Sequence, residues 1–254
     1  MLIDTHCHIY LKEFDADRQE MITRAENEGV NLFLMPAIDA STHQQMMETE
    51  AGNPGKCLSM IGLHPCSVNT RFEKELNFVG EKLKERRFIA VGEIGLDFYW
   101  DKTFTDEQFR AFQRQVDMAI QNSLPIVIHS RNSIDECIEV VRKNQQGKLR
   151  GVFHCFSGNT EQAKQIIDLG FYLGIGGVVT FKNSGLDKVM ADTDLKYVVL
   201  ETDAPYLAPV PFRGKRNESG YLKYVVEKII EIKGLSKEEI EIITTRNAKD
   251  LFSI

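Results

Sequence analysis

Thr105-Asp-Glu-Gln-Phe-Arg-Ala-Phe-Gln-Arg-Gln-Val-Asp-Met-Ala-Ile-Gln-Asn-Ser-Leu-Pro-Ile-Val-Ile-His-Ser-Arg131 sets two periodicities back to back. In its first part Phe109, Phe112, Val116, Ala119 and Ile120 recur at the spacing of one helical face, behind a Thr105/Gln108 pair that reads as a capping box. Its second part, Pro125–His129, is a continuous apolar run closed by a histidine. An unbroken apolar run of this length fits a strand buried on both faces, as in a parallel sheet. Helix followed by buried strand is therefore the unit to look for in the rest of the chain.

The unit recurs in both directions. Apolar runs lie at Leu2–His6, Val30–Ala37, Leu58–His64, Phe88–Glu93, Gly151–Phe156, Phe171–Gly177 and Tyr197–Asp203. Amphipathic stretches separate them, such as Glu161–Leu169 with Ala163, Ile166 and Ile167 on one side. Ser41 with Gln44, and Ser236 with Glu239, repeat the capping pattern, and Gly29 and Gly170 sit where helices should end. Eight strand candidates alternating with helices predict an α/β fold, a closed TIM (β/α)8 barrel, as a single domain over residues 1–254. The runner-up is an open doubly wound sheet, but no G-x-G-x-x-G or Walker pattern follows the first run.

Composition narrows the function classes. The chain has 254 residues, 43% hydrophobic and 27% charged, which is ordinary for a globular protein and excludes a collagen-like or disordered chain. No run approaches a membrane span, and the polar N-terminus does not read as a signal peptide, so a cytoplasmic protein with no membrane partner is expected. Five cysteines without paired spacing read as reduced thiols. A net charge of −6 argues against a broad basic surface for nucleic acid, though not against local grip on a few phosphates.

In a parallel barrel the chemistry sits at the C-terminal strand ends. Five of the six histidines fall there: His6, His8, His64, His129 and His154, with only His43 in a helical stretch. His6 and His8 are two apart, so strand geometry points both the same way. Alone, an H-x-H pair is a weak signal. Joined by His129, His154, Glu93 and Asp203, it reads as a site for two divalent cations with positions left for water and substrate. With Glu93 bridging, one ion would take His6, His8, Glu93 and Asp203, and the other Glu93, His129 and His154. Glu93 lies inside an apolar run, where an unpaired carboxylate is costly. The histidine-rich set suits Zn²⁺, Mn²⁺, Fe²⁺ or Ni²⁺.

At this point the chain resembles the TatD family of metal-dependent deoxyribonucleases, within the amidohydrolase-like hydrolases. The motifs are Ile3-Asp4-Thr5-His6-Cys7-His8, Ile61-Gly62-Leu63-His64-Pro65, Ala90-Val91-Gly92-Glu93-Ile94-Gly95-Leu96-Asp97, Pro125–Arg131, His154-Cys155-Phe156-Ser157-Gly158 and Glu201-Thr202-Asp203-Ala204-Pro205-Tyr206. The resemblance implies a TIM barrel, metal ligation by His6, His8, Glu93, His129, His154 and Asp203, and Mg²⁺-supported 3′→5′ exonuclease action on DNA. The substrate would be a single-stranded or frayed 3′ end, with no obligate protein partner evident. Two positions depart from the family pattern. Ile9-Tyr10 stands where Asp or Asn is common, so that a short polar group supporting the metal site is missing. Ser219 stands where Pro is expected, which should loosen the loop after the last strand.

Role assignments follow from chemistry. Asp203 is the expected general base, and Glu93 the bridging carboxylate. His64 lies outside the ligand count, and could contact a phosphate, protonate the leaving oxygen or simply be fixed beside Pro65. Arg131 could neutralise phosphate charge or pair with Glu201 or a helix carboxylate. Arg213 and Asn217, in the basic run Phe212–Asn217, could guide a nucleic-acid end, or belong to a solvated loop. Phe98-Tyr99-Trp100 could stack a base or cover the barrel top. The competing activity is hydrolysis of a small ester, lactone or amide on the same barrel.

Overall fold

A computed structural model describes residues 1–254. Its strands are β1 (Leu2–Asp4), β2 (Val30–Met35), β3 (Cys57–Ser59), β4 (Val91–Asp97), β5 (Ile126–Arg131), β6 (Gly151–Phe153), β7 (Tyr172–Ile175) and β8 (Val198–Leu200). Between them run α1 (Arg18–Asn27), α2 (Ala40–Gly52), α3 (Phe72–Glu85), α4 (Thr105–Asn122), α5 (Ile134–Asn144), α6 (Thr160–Asp168) and α7 (Leu186–Asp192), and α8 (Leu222–Lys233) and α9 (Lys237–Phe252) follow β8. Every strand pair is parallel, in the orders β1-β2-β3 and β4-β5-β6-β7-β8. Backbone bonds close the two seams. Ile61 N–H donates to Ala90 (3.2 Å) and Gly92 N–H to Ile61 (2.8 Å), while Thr5 N–H donates to Leu200 (3.0 Å) and His8 N–H to Ala204 (2.7 Å). The open-sheet alternative is thereby excluded. No helix is long and apolar enough to cross a membrane.

The barrel is filled from below. Ile3, Leu34, Met60, Ala90, Val127, Val152 and Val199 pack together with Ala248, Leu251 and Phe252 at the end of α9, which plugs that end. Strand periodicity then places the chemistry. Val127 belongs to this inner layer, whereas Ile126 and Ile128 pack in the larger cluster with the helices. His129 therefore shares the inward face of Val127, one layer nearer the open end. A Cβ on Gly95, which has φ +138°, would collide with the His129 carbonyl, so glycine is what lets β4 lie against β5 here.

Several local readings are corrected. Thr105 is the first residue of α4, its N-cap Phe104 makes no side-chain bond, and the Thr105/Gln108 box does not form. Gln108 turns inward instead, accepting from Asp97 N–H at 2.9 Å and donating to Asp97 O at 3.2 Å. Gln115 does the same for Leu63 N–H (2.7 Å) and O (3.2 Å). The buried face of α4 is rotated accordingly, and Ile120 is exposed. Helix α2 is capped by Asp39 rather than Ser41, and Gln44 donates to Glu48 at 2.8 Å. The Ser236/Glu239 box forms as read, and Asn159 with Gln162 makes a second one on α6. β4 outruns its apolar stretch and reaches Asp97, whereas β3 covers only the start of Leu58–His64.

Candidate metal centre at the barrel mouth

The C-terminal ends of the strands converge on Glu93, which is buried. Its Oε2 lies 3.2 Å from His6 Nε2 and 3.4 Å from His8 Nε2. Its Oε1 lies 2.9 Å from His129 Nδ1, 3.0 Å from His154 Nε2 and 3.3 Å from His64 Nε2. Asp203 Oδ1 stands 3.7 Å from both His6 Nε2 and His8 Nε2. The donors form three overlapping groups able to hold a cation: His6, His8 and Asp203; His6, Glu93 and His154; and His64, Glu93 and His129. His64, expected outside the ligand count, thus stands among the donors.

His8, His129 and His154 are each turned by what the far nitrogen meets. Tyr10 O–H donates to Pro36 O at 2.8 Å, so its oxygen is left to accept from His8 Nδ1 at 3.1 Å. That arrangement puts the proton on Nδ1 and leaves the Nε2 lone pair facing Glu93 and Asp203. Tyr10 therefore does support the site, contrary to the expectation from its size: a long side chain reaches from further along the strand end. Asp97 Oδ2 takes His129 Nε2 at 2.8 Å, and Glu201 Oε1 takes His154 Nδ1 at 3.2 Å and Cys155 N–H at 2.6 Å. Neither Asp97 nor Glu201 was assigned a role from sequence. The signal was there for both, since Glu201 stands two residues before Asp203 and Asp97 four residues after Glu93. Tyr10→Phe should weaken metal binding about 10–100-fold, measured by chelator competition, with the urea unfolding transition still cooperative. Unchanged affinity would remove Tyr10 from the site.

Electrostatics ask for positive charge. Burial alone would push the Glu93 carboxyl up, but the surrounding His64, His154 and His6 outweigh it and hold it well below the carboxylate range. Burial likewise opposes protonation of His129 and His154, yet Asp97 and Glu93 raise the first, and Glu93 and Glu201 raise the second. His6 is different: burial, with His154 beside it, lowers it to about 4. Its ring stacks on His154 at 3.7 Å, and neither of its buried nitrogens is in hydrogen-bonding geometry with any partner, despite the short approach to Glu93. A buried imidazole without a hydrogen-bond partner, aimed at a carboxylate, fits a metal ligand. Asp203 has its carboxyl raised to about 7 by burial, and its backbone is left-handed at φ 57°.

The framework around these donors is itself tied. Asp4 accepts from Thr202 N–H (3.0 Å) and Thr202 Oγ1 (2.6 Å), joining the strand ends that carry His6, His8 and Asp203. Burial pushes the Asp4 carboxyl up to about 7.

The proposed substrate contacts divide. Arg131 is exposed at the mouth and lies over the rings of Tyr99 (3.9 Å) and Trp100 (5.2 Å) rather than pairing with Glu201. Arg213 is exposed and stacks on Phe181 at 3.7 Å. Asn217 is corrected: it is fully buried, donating to Thr202 O and Tyr206 O at 2.7 Å each and accepting from Glu218 N–H at 2.9 Å. It holds the loop after β8 and has no group left for substrate. Arg216 pairs with Asp17 through both guanidinium nitrogens, at 2.6 and 2.8 Å, so the Phe212–Asn217 run is less basic than it reads. The loop expected to be loose at Ser219 is anchored by these bonds, and Ser219 itself is buried.

A closed parallel barrel gathering imidazoles and carboxylates at its C-terminal rim defines a metal-dependent hydrolase of the α/β-barrel class. The model of the family described as TatD related DNase matches residues 3–253, and the chain belongs to that family. It is 38% identical to a Bacillus subtilis protein named Uncharacterized metal-dependent hydrolase YabD, with all of both chains covered. It is 28% identical to the 3'-5' ssDNA/RNA exonuclease TatD of Pectobacterium carotovorum, again over all of both chains. Among solved structures, the TatD homologue YJJV of Escherichia coli superposes with a TM-score of 0.94 at 29% identity, covering 100% of this chain and 98% of that one.

Proposed function

We propose that this hydrolase cleaves phosphodiester bonds in DNA, releasing nucleotides from a single-stranded or frayed 3′ end. The observation that carries the reading is the placement of Glu93, with Oε2 toward His6 and His8 and Oε1 toward His64, His129 and His154. A carboxylate so placed suits two adjacent cations, the arrangement that serves in-line displacement at phosphorus. The name of the Pectobacterium relative points to the same substrate class.

In this reading His6, His8, Glu93 and Asp203 would hold one divalent ion, and Glu93, His129 and His154 the other, with His64 beside the second. Nitrogen-rich donors suit Zn²⁺, Mn²⁺, Fe²⁺ or Ni²⁺, while Mg²⁺ is the ion the family resemblance implies. Bound divalent ions would supply Lewis acidity and bring the pKa of a water from about 15.7 to roughly 7. Asp203, whose Oδ1 faces His6 and His8, would be the group placed to accept a proton. Arg131, at the rim, offsets phosphate charge. The side chains of Asp97, Glu201 and Tyr10 keep the imidazole lone pairs aimed inward.

The test is metal removal. Protein dialysed against a chelator should release no nucleotides from 3′-end-labelled single-stranded DNA, and adding back Mg²⁺ or Mn²⁺ should restore release. A panel of small esters and lactones is run beside it. Metal-dependent turnover of that panel, with DNA left intact under every metal, would replace this reading with the small-substrate one.

A further inference from the structure

Tyr99 and Trp100 are 53% and 68% exposed, a large apolar area to leave in water beside a polar site. Their rings meet edge to face at 5.0 Å, and the Arg131 guanidinium lies over both. The arrangement is anchored from below. Tyr99 N–H and Trp100 N–H donate to Asp97 Oδ1 at 2.9 and 3.0 Å, and Phe98 N–H donates to Arg131 O at 2.9 Å. The other oxygen of Asp97 holds His129. One carboxylate therefore fixes both a donor imidazole of the metal centre and the aromatic loop above it.

Two exposed aromatic rings, set edge to face beside an unpaired guanidinium and fixed next to the proposed phosphodiesterase centre, have the chemistry to take a nucleobase on a ring face and a phosphate at the guanidinium. A small ester or lactone would leave it unused. We propose that Tyr99, Trp100 and Arg131 form a nucleobase-stacking subsite that selects single-stranded nucleic acid for the metal centre. The inference rests on the phosphodiesterase reading above and names what recognises the substrate.

Trp100 is the only tryptophan of the chain, so its emission reports the subsite directly. Metal-loaded protein, rapidly mixed with a single-stranded oligodeoxynucleotide, should show quenching before products form. An oligonucleotide of equal length, abasic over its 3′ segment, should leave the emission unchanged. Trp100→Ala should raise KM for intact DNA about tenfold with kcat held, Trp100→Phe should keep most of the wild-type KM, and neither should alter cleavage of the abasic substrate. Equal quenching by both oligonucleotides, or an unmoved KM in Trp100→Ala, would overturn the subsite even while nucleotides are released. Base-dependent quenching in a protein that cleaves no DNA would instead support the subsite and count against the nuclease reading.

Discussion

Glu93→Gln should reduce metal-dependent turnover by at least about 10³-fold, roughly 4 kcal/mol of transition-state stabilisation at 1.36 kcal/mol per tenfold. The substitution keeps the volume of a side chain that is 2% exposed, so it leaves no cavity. What it removes is one of two equivalent oxygens. The amide nitrogen has no lone pair to offer, yet Oε2 faces His6 and His8 while Oε1 faces His64, His129 and His154. Either flip of the amide therefore serves one group of donors and fails the other. Metal content at saturation should fall accordingly, read by elemental analysis beside the rate. The variant should still unfold cooperatively in urea, because the barrel seams are backbone bonds that do not involve this side chain. Full turnover in a folded Glu93→Gln protein would refute the bridging role.

The strands and most ligand candidates were legible because both signals are local. Pro125–His129 reads as a buried strand from its own five residues, and the histidine closing it is exposed to the mouth by strand periodicity alone. What was not legible depends on partners far along the chain. The rotation of α4 follows from Gln108 and Gln115, two polar side chains buried because the backbone of Asp97 and Leu63 needs partners where strands give way to loops. Periodicity alone ranks Ile120 above either glutamine for the buried face. Asn217 illustrates the reverse error: an asparagine in a basic run reads as a substrate contact, whereas its amide is spent on loop carbonyls.

The supporting residues show the same limit. His64 was read as lying outside the ligand count, yet the barrel brings its Nε2 to 3.3 Å from Glu93. Tyr10 was discounted on size, but length is what lets its hydroxyl relay between His8 and Pro36. Residues that set a tautomer leave a weaker mark in sequence than ligands do, because any acceptor at the right distance suffices.

Asp203→Asn separates proton transfer from ligation. The position has φ 57°, a left-handed conformation that asparagine tolerates better than any other non-glycine replacement of similar shape. Its backbone bonds, Asp203 N–H to His6 O at 2.9 Å and Tyr206 N–H to Asp203 O at 2.7 Å, are kept. The amide oxygen can still approach His6 and His8, as Oδ1 does at 3.7 Å, but it cannot take a proton. A positioned general base contributes about 10²–10⁴-fold, and kcat should fall by that amount with KM for DNA little changed. The decisive reading is at saturating metal. If the deficit persists there, Asp203 moves the proton. If added metal restores kcat, its part is ligation alone, and the base must be sought among the other groups of the mouth.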